Sequence, residues 1–212
     1  MQESLFSSQS DPNGYEQYEL GNAWIREYSS VLSTEQSVAL LSRLLKLIPW
    51  RQESLWIAGQ RRPVPRLQCW MGEACYGYSG LQLDPVPWQE DVLELKLRIE
   101  SLTGCQFNSV LLNYYRNGQD SVAWHADDEE ELGSDPHIAS FSLGAERPFD
   151  FRPKPGNAGN KFRLLLKNGS LILMGSGVQG NWLHQLPKVR GLDQARINLT
   201  FRNINSEFLL NA

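Results

Sequence analysis

The 212-residue chain has only three cysteines, Cys69, Cys75 and Cys105, and no two of them stand at C-x-x-C spacing. An odd count without that spacing argues against a disulfide framework and against a thiolate zinc site, leaving ordinary reduced thiols. No apolar run approaches the roughly 20 residues that span a bilayer. The N-terminus "MQESLFSSQSDPNGYEQYEL" has neither the basic nor the apolar region of a signal peptide. A cytoplasmic protein with no membrane partner is expected, or a nuclear one if the source is eukaryotic. Excess basic charge is missing too: the net charge of -4 argues against a coat for long nucleic acid, which rests on neutralising many phosphates. A local basic groove remains compatible. Arg61, Arg62 and Arg66 in "GQRRPVPR", and Lys188 with Arg190, are two small clusters that read alone as solvated loops. No internal repeat is visible.

What is present is ordinary globular composition, 41% apolar and 21% charged, which excludes wholesale disorder and fibrous repeats. The length suits one domain. The polar stretch 1–20 reads as a flexible tail, and 21–212 as a single domain. "STEQSVALLSRLLKLI" offers Ser33 as N-cap, Gln36 three residues on, and Val38, Leu41, Leu44, Leu45 and Ile48 at helical spacing. A second helix is predicted over 89–103, with Val92, Leu95, Ile99 and Leu102 on one stripe and Gly104 as the stop. Residues 50–88, rich in proline and aromatics, read as hairpins and loops. After Gly104 come short β-rich runs, "FNSVLLNYY", "HIASFSLG", "RPFDFRP", "FRLLLKN", "SLILMG" and "ARINLTFR". The fold class is therefore mainly β with flanking helices, a sandwich or jelly roll.

The chemistry concentrates around "AWHADDEEELG", residues 123–133. Extended backbone would aim His125 and Asp127 to one face. A third ligand must come from elsewhere, and the other histidines are His137 and His184. Two His and one carboxylate form the facial arrangement of non-haem Fe(II) oxygenases; the same set would also suit a zinc hydrolase. In "ARINLTFR", Arg196, Asn198, Thr200 and Arg202 share one face, and Asn113 and Tyr115 do so in "LLNYY". That alternation fits a half-exposed strand. It also fits a cavity in which arginine forks hold a dicarboxylate.

"LLNYYRNGQDSVAWHADDEEELG", "IASFSLGAERPFDFR", "GNWLHQLPK" and "RINLTFR" resemble the AlkB-type 2-oxoglutarate and Fe(II)-dependent nucleic-acid dealkylases, and "PRLQCWMGEACYGYSG" resembles their single-strand-preferring branch. The resemblance covers roughly residues 30–205. It implies a double-stranded β-helix core over 105–205 and a nucleotide-recognition lid over 50–88. It implies Fe(II), 2-oxoglutarate and O2, with His125, Asp127 and His184 as metal ligands. Arg196 and Tyr115 would hold the far carboxylate of 2-oxoglutarate, and Arg202, Asn113 and Asn198 its chelating end. Trp70, Tyr76 and Tyr78 would meet the base, and Asp128 and Glu129 the positive charge of an N-methylated ring. The implied reaction is oxidative demethylation of bases such as 1-methyladenine and 3-methylcytosine in single-stranded DNA or RNA, with release of formaldehyde and succinate; a monomer is the default expectation for the oligomeric state. An oxygenase of another substrate class, a zinc hydrolase and a non-catalytic reader of modified strands are the competing expectations. His137 has no counterpart in the motif and is expected to be structural or exposed. Glu130 and Glu131 are expected to face water.

Overall fold

Ser33 closes a capping box: its hydroxyl accepts from Gln36 N at 3.3 Å, and Gln36 Oε1 accepts from Ser33 N at 3.0 Å. From there α1 runs over Thr34–Leu47. Helix α2 spans Glu90–Thr103 and stops where Gly104 takes φ 72°, a left-handed turn without penalty for a residue that has no Cβ. Both helices match the spans expected from their end signals. Their buried stripes are shifted at the edges: Ser37, Leu40 and Leu44 are buried on α1, while Val38 is 58% exposed, and Leu102 on α2 is 43% exposed.

The computed structural model of the protein describes residues 8–10, 14–57, 59–73, 75–78 and 81–209. Its strands, in chain order, are β1 (Ser8–Ser10), β2 (Glu16–Glu19), β3 (Trp24–Tyr28), β4 (Ser54–Ile57), β5 (Gln60–Pro63), β6 (Leu67–Gly72), β7 (Tyr76–Tyr78) and β8 (Leu81–Leu83). They continue as β9 (Ser109–Tyr115), β10 (Val122–His125), β11 (Ile138–Gly144), β12 (Arg147–Pro153), β13 (Phe162–Leu166), β14 (Leu171–Met174), β15 (Trp182–Leu186) and β16 (Arg196–Arg202). Two short helices, α3 (Val178–Asn181) and α4 (Ser206–Leu209), complete the described elements.

The large sheet has the order β1-β2-β3-β14-β11-β16-β9-β6, and a four-stranded sheet the order β10-β15-β12-β13. Every strand contact in both is antiparallel, the arrangement expected for a jelly roll. One face of the large sheet packs Val110, Leu112, Phe141, Ile197, Leu199 and Phe201 against Leu40, Leu44, Val92, Leu95 and Ile99 of the helices. The other face looks across to Phe149, Phe151, Leu164, Leu166 and Leu186 of the small sheet. Strand β16 is thereby buried along its whole length. Its alternation separates a core face from a cavity face, not core from water, which resolves the two readings of "ARINLTFR".

The expected tail is shorter than residues 1–20: Glu16–Glu19 is β2, paired with β3, and Leu20 is buried at 4% exposure. Residues 1–7 and 11–13 lie outside the described ones. The stretch 50–88 also divides. Two hairpins, β4-β5 and β7-β8, flank β6, which belongs to the large sheet beside β9. None of the described helices is long and apolar enough to cross a membrane.

Candidate active site

Strands β10 and β15 bring His125 directly opposite His184, with ring centroids 4.3 Å apart. The register slips between Val122 and His125; a bulge of this kind re-aims a side chain. Asp127 does not reach the same point by strand alternation, because β10 ends at His125. It sits in the following loop, where its backbone N–H donates to Gln179 Oε1 at 2.9 Å and its Oδ1 accepts from Arg202 Nη2 at 2.6 Å. One ligand atom from each of His125, Asp127 and His184 lies within 4.8 Å of the others.

The donor set suits a divalent metal. His125 Nδ1 lies 2.8 Å from Ala123 O, so that nitrogen carries the proton and Nε2 offers a lone pair. Burial, and next the neighbouring His184, push the His125 pKa down to about 4, so the ring is neutral at ordinary pH, the form that ligates. Burial alone would raise the carboxyl of Asp127. The Arg202 guanidinium, with His184 and His125, outweighs that and holds it well below the usual range. Phe149 and Phe151 pack on His184 at 5.3 and 5.9 Å between centroids and seat that ring.

From this cluster a cavity of about 630 Å³ extends along the polar face of β16 and β9, lined by Arg202, Thr200, Asn198, Arg196, Asn113 and Tyr115. Arg196 and Arg202, at the two termini of β16, both line it, with Arg202 beside the His-Asp-His cluster. Arg196 is 1% exposed. Its Nη2 donates to Ser142 Oγ at 2.9 Å, while Nε and Nη1 have no partner among the described residues. Its guanidinium stands 5.5 Å from the Tyr115 ring centroid. Burial lowers its pKa to about 10, so it stays cationic at neutral pH. A buried cation with open donors fits a carboxylate. Asn198 donates to Ser140 Oγ at 2.8 Å and to Phe141 O at 2.9 Å, so its amide nitrogen serves the sheet.

The residues expected to meet a base scatter. Trp70, expected at the base, is 2% exposed and belongs to the core cluster, because β6 is a sheet strand. Tyr76 and Tyr78 lie on β7, but their side chains fall outside the described ones. Asp128 turns outward and ion-pairs with Lys154 at 2.7 Å, whereas Glu129 lines the cavity. Glu130 is exposed and Glu131 half-buried in a short 3-10 turn. His137 is half-buried, 5.5 Å from the Trp24 ring and 3.5 Å from Cys105 Sγ, apart from the triad. Of the arginine cluster, Arg61 and Arg62 are exposed on β5, and Arg62 lines the cavity with Lys188; Arg66 is buried.

Reading the sequence missed Gln179, 1% exposed, which holds the backbone of Asp127. It missed Ser142, which holds Arg196, and Arg147, fully buried and bound to the carbonyls of Asp120 and Pro187 at 3.0 and 2.6 Å. The pattern "SFSLG" did carry a signal for Ser140 and Ser142, since both alternate with core residues on one strand.

Residues 24–202 match the model of the 2OG-Fe(II) oxygenase superfamily. The chain is 40% identical over 185 residues to the alpha-ketoglutarate-dependent dioxygenase alkB homolog 3 of Rattus norvegicus, covering 84% of this chain and 63% of that protein. It is 40% identical over 156 residues to the DNA oxidative demethylase ALKBH2 of Bos taurus, covering 70% of this chain and 56% of that one. The chain thus spans less than two thirds of either relative's length. The solved structure of OsALKBH1 superposes with a TM-score of 0.58 at 16% identity, over 84% of this chain and 97% of that one, a likeness of fold.

Proposed function

The chain belongs to the 2OG-Fe(II) oxygenase superfamily, and on that footing we propose that it removes alkyl groups oxidatively from nucleic-acid bases. The observation that carries the proposal is the single cavity with a His-Asp-His cluster at one end and a buried arginine with open donors at the other. A zinc hydrolase needs no such second end, and a reader of modified strands needs neither.

When bound, Fe(II), 2-oxoglutarate and O2 supply the oxidation: one oxygen atom enters a methyl C–H bond, the other enters succinate as 2-oxoglutarate loses CO2, and the N-hydroxymethyl group departs as formaldehyde. The chain's own residues place these groups. His125, Asp127 and His184 would hold the metal. Arg202 occupies one oxygen of Asp127 and fixes how the carboxylate turns. Arg196 with Tyr115 would hold the far carboxylate of 2-oxoglutarate, while Phe149, Leu166, Met174 and Leu186 line the remaining wall and exclude water.

N-methylation at a Watson–Crick nitrogen makes a base cationic, and Glu129 in the cavity offers it an anion. Asp128 is paired with Lys154, while Arg62 and Lys188 stand at the cavity with no acidic partner among the described residues, a basic contribution for a phosphate backbone. An unpaired base reaches such a pocket without the cost of flipping, which favours single strands. The alkB homolog 3 and DNA oxidative demethylase relatives support a nucleic-acid substrate; 1-methyladenine and 3-methylcytosine as its lesions, and a monomeric enzyme, are part of the proposal. The test compares 2-oxoglutarate consumption stimulated by methylated single strands, matched duplexes and methylated peptides. Stimulation by the strands supports the reading, and stimulation by peptides alone overturns it.

A further inference from the structure

We infer that Arg66 is a second arginine for the cosubstrate, fixing the orientation of Asn113 and supplying the counter-charge for the carboxylate opposite the one at Arg196. In sequence Arg66 sits among solvated neighbours, in "GQRRPVPR". In the fold it is 7% exposed and lines the cavity. Its Nε donates to Asn113 Oδ1 at 2.7 Å, and Gln68 Nε2 donates to the same oxygen at 3.0 Å.

Two donors on one oxygen settle which way the amide is turned. Asn113 Nδ2 is left as a donor, and no described residue accepts from it, although Asn113 is only 5% exposed and lines the cavity. Arg66 and Gln68 therefore turn the Asn113 amide so that its Nδ2 is the donor left for whatever anion the cavity takes.

Charge gives the second argument. Three buried arginines line the cavity, and only Arg202 has an acidic partner among the described residues, Asp127. Arg196 and Arg66 have none, and a buried charge without a counter-charge is costly. Two unmatched buried guanidinium groups lining one cavity answer a dianion, which 2-oxoglutarate is. The contacts of Arg66 to Asn113 and to Ser121 O, at 3.4 Å, hold it in the cavity wall. A phosphate of the nucleic-acid backbone would instead stay at the solvated mouth, near Arg62.

The inference rests on 2-oxoglutarate being the cosubstrate, and not on the nucleic-acid reading. It is tested by calorimetric titration of the full chain with 2-oxoglutarate, with Mn(II) in place of Fe(II) and without oxygen. Loss of charge-assisted hydrogen bonds predicts that Arg66→Met weakens 2-oxoglutarate about tenfold or more, and Arg66→Lys about threefold. Single-stranded oligonucleotide affinity and its salt slope stay as in the parent. A folded Arg66→Met that binds 2-oxoglutarate as the parent does, or that loses salt slope on oligonucleotide instead, overturns the assignment. Should Arg66→Met fail to fold, Arg66→Lys decides: unchanged affinity overturns it. A parent chain that binds no 2-oxoglutarate at all would sink the cosubstrate reading itself, a separate outcome.

Discussion

Arg202 Nη2 stands 2.6 Å from Asp127 Oδ1, and the other oxygen of the same carboxylate stands 3.6 Å from His184 Nε2. One oxygen is thus committed to a cation inside the protein and the other faces the metal cluster. Because both partners are buried, removing the arginine strands a carboxylate in the core. Arg202→Met is expected to cost the metal-free protein about 3–5 kcal/mol, on the order of 10 °C in melting temperature for a chain of this size. Mn(II) should recover more stability in Arg202→Met than in the parent, because the dication replaces the lost charge. Equal recovery in calorimetric melts would argue that the pair is not part of the metal site.

Gln179 acts one step further out. Its carbonyl is the acceptor for the Asp127 N–H, and its own nitrogen rests 3.6 Å from Met174 Sδ. Gln179→Leu leaves that N–H unpaired and frees the loop to shift, so metal affinity should fall about 10-fold, as for other supports of metal ligands. Circular dichroism should remain that of the parent. Unchanged Mn(II) affinity by titration would remove Gln179 from the account.

Arg196 sets stability against binding. With two donors unpaired among the described residues, it destabilises the ligand-free fold relative to an apolar side chain of similar length. Arg196→Met is expected to melt at or above the parent temperature without ligand. It should also lose the stabilisation that 2-oxoglutarate gives the metal-loaded parent, about 2.7 kcal/mol at a hundredfold excess over Kd. A lower ligand-free melting temperature with intact 2-oxoglutarate stabilisation would contradict this.

Acid stability follows from carboxylates away from the metal cluster. For Asp120 burial alone raises the pKa, but the hydrogen bonds from Arg116 outweigh it; Asp135 is lowered by Ser176 and Asp150 by Arg163. All three are depressed in the fold, so their stabilisation is complete above the unfolded value of about 4 and is lost as pH falls through the folded values. Melting temperature should be flat in this contribution above about pH 5 and fall below about pH 4. Asp120→Asn should flatten that acid limb. An unaltered limb would show that the Arg116 clamp is not a source of it.

Much of this arrangement is legible before folding, and the exceptions share a cause. The end signals of α1 and α2 are local, so Ser33, Gln36 and Gly104 place them. The face shared by Arg196, Asn198, Thr200 and Arg202 is also local, but periodicity cannot say whether a polar face meets water or a cavity; only the small sheet opposite decides that. Arg61, Arg62 and Arg66 look alike in sequence and part company because β5 is an exposed hairpin strand, while Arg66 enters the large sheet's edge beside Asn113. Trp70 looked like a lid aromatic because its neighbours are loops, yet β6 pairs along β9 and buries it. Asp127 stands where expected for a different reason, since Gln179 and Arg202, 52 and 75 residues away, hold it and strand alternation does not.

The central claim is that one cavity couples 2-oxoglutarate to the removal of a methyl group from a base. The direct measurement is mass spectrometry of single-stranded DNA and RNA carrying 1-methyladenine or 3-methylcytosine after aerobic incubation with the protein, Fe(II) and 2-oxoglutarate. The account predicts loss of one methylene unit per lesion, equimolar with succinate and absent for His125→Ala. Intact methylated strands beside steady succinate formation, or methyl loss that persists without 2-oxoglutarate or in His125→Ala, would contradict it.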